Sequence, residues 1–511
     1  MNYSKILVLF PIVLGIFFIL APYNNNIIEA STIDLLFVSV IFLTIIAIFS
    51  LIIRLIIKDN TKSIWISSIG IILFFIYIPI HRILFENQIN ENELSNHIIL
   101  FSVLMSIFLG AIFFLVKSKN NFENILKIVF IISLSLVVIN VSEIQYFYLS
   151  GDNLFVDNSV ETFSVDKNNL RDVYHIILDA HASKPALKQY FNYDNSNFEN
   201  FLKDKGFFIP EFTMGNYFYT ATAIPSLLNM DYVGSNWKSE KELSMIVREM
   251  VDESSVVKNF QRNGYQVISF HNEYNLDPTN DVVKLCGNDV RSMRLLIFYM
   301  DNTPLVIIKE LAFLTLDQIS NEKGKGNASY KPVIENRICS FNELSNVGEK
   351  FSQPVFVNAH LIIPHGPFIF DSNGNIIDGR DVSEEEIPDA YLAQLQYTDT
   401  KIQGIVEKLL EKDPKPIIII HSDHGFRFKI NQDDDILKHG FLNFGAYYFP
   451  EKELDKEEYS IISPVNTFRI LFNEYFGTDY EILENKSFII KDSKFVDVTD
   501  FVISNSVFKE N

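Results

Sequence analysis

The sequence predicts an N-terminal bundle of membrane-spanning helices followed by an α/β domain with a mostly parallel sheet flanked by helices. Three observations predict this fold class. Five apolar runs, each long enough to cross the roughly 30 Å hydrocarbon core of a bilayer, precede residue 150. After residue 170, short apolar runs alternate with amphipathic stretches, which is typical of strands connected by helices. Between two of the candidate strands, apolar residues from Tyr391 to Leu409 recur at helical spacing.

The composition excludes two classes of protein. Of the 511 residues, 48% are hydrophobic and 21% are charged, and the formal net charge is −20. Such a chain is neither a disordered tail nor a nucleic-acid-binding protein that works through a basic surface. The predicted organisation is a transmembrane domain at 1–150, a polar linker at 151–170 and one soluble domain at 171–511, which includes a surface loop at 318–332. The five predicted spans lie near 4–23, 33–57, 63–85, 97–117 and 125–149.

The loops between the spans differ in charge. Lys and Arg precede the first span and lie in the loops after the second and fourth spans, whereas 24–32 and 86–96 carry only acidic charges. Because positively charged loops are retained in the cytoplasm, we expect a multi-pass protein of the cell membrane with a cytoplasmic N-terminus. An odd number of spans then makes the soluble domain extracytoplasmic. A cleaved signal peptide is the alternative for the first span, but Ile19–Tyr23 lacks a small-x-small cleavage site.

Three predicted strands end in aspartate and histidine residues that could bind a metal ion. The strand ends read Leu178-Asp179-Ala180-His181, His360-Leu361-Ile362-Ile363-Pro364-His365 and His421-Ser422-Asp423-His424-Gly425. Open α/β sheets bind ligands beyond the carboxyl ends of their strands, and carboxylate oxygens mixed with imidazole nitrogens suit Zn²⁺ or Mn²⁺. We therefore expect Asp179, Asp423 and His424 to supply three metal ligands. Single residues of this kind are more often satisfied structural groups, and three histidines are interpreted in that way: His181, His360 and His421.

A candidate nucleophile lies in the stretch 216–232. A threonine hydroxyl is a weak nucleophile until a metal or a base activates it, and metal activation suits Thr220. Alternatively, Thr220, Thr222 and Ser226 only cap the helix that begins here. Arg427 follows the Asp-His pair and could bind phosphate through a bidentate contact, or it could be a solvated surface arginine.

The motifs that contain these residues resemble those of the alkaline phosphatase superfamily. More narrowly, they resemble the motifs of its membrane-anchored sulfatase-like branch, which includes lipoteichoic acid synthases and lipid A phosphoethanolamine transferases. The five preceding spans match the transferases in layout. The resemblance covers about 171–485 and rests on motifs in the family's order: the strand before Asp179, Asn216-Tyr217-x-x-Thr220, Leu228-Asn229-Met230-x-Tyr232, Pro364-His365-x-Pro367-Phe368, Ser422-Asp423-His424-Gly425 and the tail from Val465 to Phe476.

The resemblance implies a role for each matching residue. It implies one or two divalent ions, Mn²⁺ or Zn²⁺, held by Asp179, Thr220, Asp423 and His424. Thr220 would be the covalently modified nucleophile, with Thr222 as the fallback. His365 matches a histidine that contacts the transferred phosphoryl group or protonates the leaving group. His439 matches a downstream histidine that helps to bind substrate or a second metal.

Two departures from the family patterns narrow the reaction. The sulfatase signature, a Cys or Ser followed by x-Pro-x-Arg, is absent where Thr220-Ala221-Thr222-Ala223-Ile224 stands, which argues against sulfate ester hydrolysis. The phosphoethanolamine enzymes bracket the nucleophile with cysteines, which this chain lacks. Its two cysteines, Cys286 and Cys339, either pair or remain thiols.

The predicted function is a metal-dependent phosphotransferase at the outer face of the membrane. It would move a phospho-head group, such as phosphoethanolamine or phosphoglycerol, from a lipid donor to an envelope glycan or lipid through a phosphothreonine intermediate. A phosphodiesterase, phosphatase or sulfatase-like hydrolase of the same superfamily is the alternative, because hydrolysis differs only in admitting water at the second step. The alternative from another class is a catalytically silent envelope binding protein, which metal content would distinguish.

Overall fold

The computed structural model describes residues 7–25, 32–85, 93–120, 122–150, 170–235, 237–270, 282–286, 291–309, 311–312, 330–377, 382–430 and 435–505. The chain divides into two compact units, Met1–Asp152 with Asp289–Asn321, and Asn153–Asn288 with Glu322–Asn511. The second unit contains all the catalytic and metal-binding residues predicted from the sequence, and it is called the catalytic unit below. The predicted linker at 151–170 and the predicted loop at 318–332 lie almost entirely outside the described residues. The segment Asp289–Asn321, which the sequence placed in the soluble domain, groups with the membrane helices.

The helices are α1 (Phe10–Asn25), α2 (Thr32–Ile57), α3 (Asn60–Phe75), α4 (Tyr77–Phe85), α5 (Glu93–Lys117), α6 (Glu123–Ser150), α7 (Lys184–Phe191), α8 (Ser196–Asp204), α9 (Thr220–Asn229), α10 (Glu240–Asp252), α11 (Ser255–Arg262), α12 (Arg291–Asp301), α13 (Lys331–Leu344), α14 (Ile387–Leu410), α15 (Thr467–Phe476) and α16 (Thr499–Asn505). The strands are β1 (Val173–Leu178), β2 (Phe212–Met214), β3 (Gln266–Phe270), β4 (Val282–Leu285), β5 (Val355–Leu361), β6 (Ile417–His421), β7 (Leu442–Asn443), β8 (Gly445–Tyr448), β9 (Ile461–Ile462), β10 (Phe488–Lys491) and β11 (Lys494–Asp497).

Among the described residues of the first unit, four helices are long and apolar enough to cross a bilayer. They are Leu7–Asn24, which includes most of α1, together with α2, most of α5 and most of α6. The predicted span at 63–85 is instead the pair α3 and α4, bent by 45°. Pro79 accounts for the bend, because proline cannot donate a hydrogen bond to the carbonyl of Phe75 and its ring clashes with that carbonyl. With the bent pair counted as one span, the unit has the five predicted spans.

Helix α12 belongs to this first unit through Tyr299. The hydroxyl of Tyr299 donates a hydrogen bond to the carbonyl of Ile19 in α1. Its ring lies 5.4 Å from the ring of Phe42 in α2, and the neighbouring Leu295 is also buried. These contacts explain why a segment from the middle of the soluble sequence groups with helices from its N-terminus.

The catalytic unit is built on a six-stranded sheet in the order β4-β3-β5-β1-β6-β8. Every pair in the sheet is parallel except β6 with β8. Residues of β1, β5 and β6 are buried on both faces, which is why these strands read as nearly continuous apolar runs. Helices α13 and α14 pack on one face through Phe341 and Ile402, and α9, α11 and α15 pack on the other. The predicted fold class is thereby confirmed.

The topology places three strand ends at one edge of the sheet. Strand β1 lies between β5 and β6, with Ile177 opposite both His360 and His421. Because all three strands run in the same direction, the residues at and beyond their carboxyl ends are neighbours. A small sheet in the order β7-β2-β9 lies in the same unit, and the chain runs from β2 into α9, which begins at Thr220.

Candidate active site

A buried cluster of carboxylates and a histidine lies at this edge of the sheet. Asp179, His360 and Asp423 each offer one ligand atom, and these atoms lie within 4.8 Å of one another. All three side chains are buried. Carboxylate oxygens and imidazole nitrogens are the donors that Zn²⁺ and Mn²⁺ prefer. The cluster is therefore chemically suited to a divalent metal ion.

The buried carboxylate of Asp179 is the group in the cluster that most needs a positively charged partner. Its side chain is fully buried, and neither carboxylate oxygen accepts a hydrogen bond of regular geometry from the described residues. The closest groups are His360 Nε2, 3.2 Å from Oδ2, and His424 Nε2, 3.4 Å from Oδ1. Burial acts to raise the pKa of Asp179, but the nearby His360, His365 and His424 outweigh it and hold that pKa well below its usual range. A buried anion without full hydrogen bonding is costly, and a divalent cation would satisfy it.

Thr220 is in contact with this cluster. As the first residue of α9, it donates a hydrogen bond from Oγ1 to Asp423 Oδ2 at 2.6 Å, and Oγ1 lies 3.2 Å from His424 Nε2. Thr222 faces elsewhere, because its hydroxyl donates to the carbonyl of Tyr219 at 3.0 Å. The structure thus brings Thr220 to the carboxylates and leaves Thr222 in a capping contact.

His424 presents one nitrogen to the cluster. Its Nδ1 donates to the carbonyl of Gly425 at 2.6 Å, so Nε2 carries the lone pair and lies 3.4 Å from Asp423 Oδ2. Burial lowers the pKa of His424 in spite of the two nearby carboxylates, which favours the neutral, ligating form of imidazole. Gly425 is required because a Cβ there would overlap the carbonyl oxygen of His439.

His365 lies in the turn that follows β5. Its backbone N–H donates to the carbonyl of Asp179 at 3.1 Å, which ties the turn directly to the cluster. The half-buried ring donates from Nδ1 to the carbonyl of Gly366 at 2.9 Å. The centroid of this ring lies 6.2 Å from that of His424. His365 is therefore beside the cluster and partly open to solvent.

Arg427 and Tyr219 lie next to the start of α9. Arg427 Nη1 donates to the carbonyl of Phe218 at 2.8 Å, and its guanidinium carbon lies 5.5 Å from the ring centroid of Tyr219. Tyr219 remains 48% exposed although it directly precedes Thr220. A cation and an exposed aromatic ring thus lie at the residues that directly precede Thr220.

The other histidines fall into two groups. His360, interpreted from sequence as structural, lies with Asp179 and Asp423 in the cluster that is suited to a metal ion, so we add it to the candidate ligands. His181 pairs with Asp399 at 2.8 Å, a structural contact between the segment that follows β1 and helix α14. His439 stacks on Phe426 at 3.8 Å and hydrogen-bonds its carbonyl, so its role toward substrate stays a prediction.

Sequence reasoning missed His360 because its face depends on strand register. Residues two apart in a strand share a face, and the pairing of His360 with Ile177 puts it beside Asp179. The position of His360 at the end of an apolar run was the available signal. Without the register, that signal does not distinguish a ligand from a structural histidine.

Comparison with known proteins finds a matching family model and several similar structures. Residues 189–453, just over half of the chain, match the sulfatase family model. The chain is similar to the periplasmic domain of EptC from Escherichia coli (13% identity, TM-score 0.41, covering 66% of this chain and 96% of that one). It is also similar to the phosphoethanolamine transferase EptA from Neisseria meningitidis (13%, 0.39, 92% and 95%) and to the lipoteichoic acid synthase LtaP from Listeria monocytogenes (11%, 0.37, 61% and 75%). No curated protein sequence matches the chain.

Proposed function

The chain belongs to the sulfatase family, and from that premise we propose that it is a metal-dependent phosphotransferase of the alkaline phosphatase superfamily that acts at the outer face of the membrane. It moves a phospho-head group from a lipid donor to an envelope glycan or lipid through a phosphothreonine intermediate on Thr220. The observation that carries the proposal is the 2.6 Å hydrogen bond from the Thr220 hydroxyl to Asp423 inside the buried cluster.

Five side chains are suited to hold the metal: Asp179, Thr220, His360, Asp423 and His424. The under-bonded oxygens of Asp179 and the Nε2 lone pair of His424 fit such an ion. A bound Mn²⁺ or Zn²⁺ would lower the pKa of the threonine hydroxyl and neutralise charge on phosphoryl oxygens. The chain's own residues orient the nucleophile and move the protons.

Thr220 attacks the phosphorus of the donor lipid. The Oγ1–P bond forms as the bond from phosphorus to the leaving lipid oxygen breaks, and the hydroxyl proton passes to Asp423 Oδ2, its hydrogen-bond acceptor. The N–H groups of Thr220 and Ala221, the first two residues of α9, lack acceptors within the helix and can bind phosphoryl oxygens. His365 protonates the leaving oxygen, because an imidazole beside the reacting group can donate and accept a proton as a general acid and base.

The acceptor completes the transfer. Its hydroxyl loses a proton to His365 and attacks the same phosphorus, the P–Oγ1 bond breaks, and Thr220 recovers its proton. Arg427 suits the donor phosphate, since a guanidinium can form two parallel hydrogen bonds with it. Each step uses groups that lie at the cluster or beside it.

Two further observations support an extracytoplasmic, membrane-attached enzyme. Attachment to apolar spanning helices confines the catalytic unit to the membrane, where lipid head groups are concentrated. Cys286 and Cys339 form a disulfide in the catalytic unit, and disulfides persist mainly outside the reducing cytosol. The disulfide agrees with the orientation predicted from the Lys and Arg distribution.

The test is covalent trapping on the full-length protein. The wild type and the variants Thr220→Ala and Thr222→Ala are incubated with Mn²⁺ and vesicles of phosphatidylglycerol or phosphatidylethanolamine, and the peptide spanning Asn216 to Tyr232 is mapped by mass spectrometry. We expect a phosphoglycerol or phosphoethanolamine adduct that Thr220→Ala abolishes and Thr222→Ala retains. Head group released as the free phosphate would instead indicate a hydrolase, and an adduct on Thr222 would move the nucleophile.

A further inference from the structure

The turn that carries His365 is held by two buried side chains from different helices. Residues 364–367 connect β5 to the following segment without belonging to a helix or strand. Their four carbonyl groups accept hydrogen bonds from Gln394 of α14 and Arg337 of α13. Neither side chain touches the metal-type cluster through a described hydrogen bond, so any effect on the chemistry passes through this turn.

Gln394 is fully buried and uses both ends of its amide. Nε2 donates to the carbonyls of Pro364 and His365, each at 3.0 Å. Oε1 accepts from the N–H of Ile369 at 2.9 Å. Because this carboxamide needs a donor at one end and an acceptor at the other, no other side chain of similar volume reproduces the pattern.

Arg337 completes the set with its guanidinium fork. Nη1 donates to the carbonyl of Pro367 at 2.8 Å, and Nη2 lies 3.2 Å from the carbonyl of His365 and 3.3 Å from that of Gly366. The side chain is only 3% exposed. A lysine ammonium is a point donor and cannot span three carbonyls in one plane, so this site requires arginine.

The turn is fastened to the cluster at its other side. The N–H of His365 donates to the carbonyl of Asp179 at 3.1 Å. The backbone of His365 is therefore held between Asp179 on one side and the side chains of Arg337 and Gln394 on the other. We propose that Arg337 and Gln394 are positioning residues that fix the imidazole of His365 for proton transfer. This inference rests on the proton-transfer role that the proposed function gives to His365.

The disulfide strengthens this arrangement. Cys339 lies two residues after Arg337 on α13 and is bonded to Cys286, directly after β4 at the edge of the main sheet. Helix α13 is therefore covalently attached to the sheet beside the residue that holds the turn. The backbone of Arg337 is thus held in place relative to the carbonyls of residues 365–367 that its side chain contacts.

A double-mutant cycle tests the inference in full-length protein. Transfer rates are compared for the wild type, Arg337→Lys, His365→Ala and the double variant, with Mn²⁺ and phosphatidylglycerol vesicles. Displacing a catalytic group by about 1 Å can lower a rate about 100-fold, so Arg337→Lys should lower kcat by about 10- to 100-fold with KM nearly unchanged. In the His365→Ala background, Arg337→Lys should lower kcat less than about twofold, because the effects of two substitutions that act through the same group do not add.

A purely structural role predicts different results. Equal losses from Arg337→Lys in both backgrounds, or no loss in the wild type, would overturn the inference. Full activity of His365→Ala would instead refute the proposed role of His365. Arg262→Lys, an exposed arginine at the end of α11, is the matched control for the substitution.

A second measurement does not require turnover. Hydrogen exchange at the amide of His365 should accelerate in Arg337→Lys and in Gln394→Glu, while exchange in β1 and β6 stays unchanged. Unchanged exchange in the turn, or faster exchange throughout the unit, would contradict the inference. If Arg337→Lys does not fold, Gln394→Glu takes its place in the cycle.

Discussion

Replacing Asp423 with asparagine should remove most of the metal-dependent stability of the catalytic unit. Asp423 and Asp179 are the two buried carboxylates of the cluster, so the substitution halves its anionic charge but keeps an oxygen for the Thr220 hydroxyl. An ion at 100 times its Kd stabilises the folded state by about 2.7 kcal/mol, and the same concentration gives only about 0.4 kcal/mol if binding weakens 100-fold. For a unit of roughly 330 residues, these energies correspond to rises in Tm of about 4 °C and below about 1 °C.

The assay follows unfolding of the catalytic unit alone. The chain has two tryptophans, so a Trp65→Phe background leaves the buried Trp237 as the fluorescence reporter. Thermal unfolding of full-length protein in detergent is recorded in EDTA and then in Mn²⁺ or Zn²⁺. Asp204→Asn, an exposed carboxylate in α8, should keep the full shift. A wild-type Tm that neither ion changes, or an Asp423→Asn variant that keeps the full shift, would refute the assignment of this cluster as a metal site.

Three more predictions concern acid stability, the disulfide and substrate binding. Burial lowers the pKa of His421 to about 4. Between about pH 6.5 and 4, therefore, only the unfolded chain binds a proton at this histidine, and the free energy of unfolding falls by about 1.4 kcal/mol per pH unit as the pH is lowered. Denaturant titrations of His421→Gln should show a flatter decline in this pH range. The Cys286–Cys339 bond spans 53 residues, and its removal with two serines should cost about 4 kcal/mol in the same titrations, whereas no loss would exclude the bond. Arg427→Lys should raise KM for the lipid donor about tenfold, because lysine lacks the bidentate fork, and initial-rate kinetics that show an unchanged KM would remove Arg427 from the donor site.

The sequence located several site residues because their signals are local. Asp179 and Asp423 follow apolar runs that read as buried strands, and parallel strands bring such ends together. The choice between nucleophile and cap for Thr220 could not be made in that way, because a threonine at a helix start serves either role. Its hydrogen bond to Asp423 connects residues 203 positions apart in sequence, and no local pattern encodes that contact.

The sequence by itself determined the membrane spans, the mostly parallel sheet and the order of the motifs, since length, hydrophobicity and periodicity act over neighbouring residues. The tertiary structure decided three features: that His360 joins the cluster, that Asp289–Asn321 groups with the membrane helices, and that Arg337 and Gln394 hold the turn of His365. Each of these depends on strand register or on packing between distant segments. A buried polar group forms hydrogen bonds with whichever groups the fold places next to it. Those partners can therefore be identified only in the folded structure.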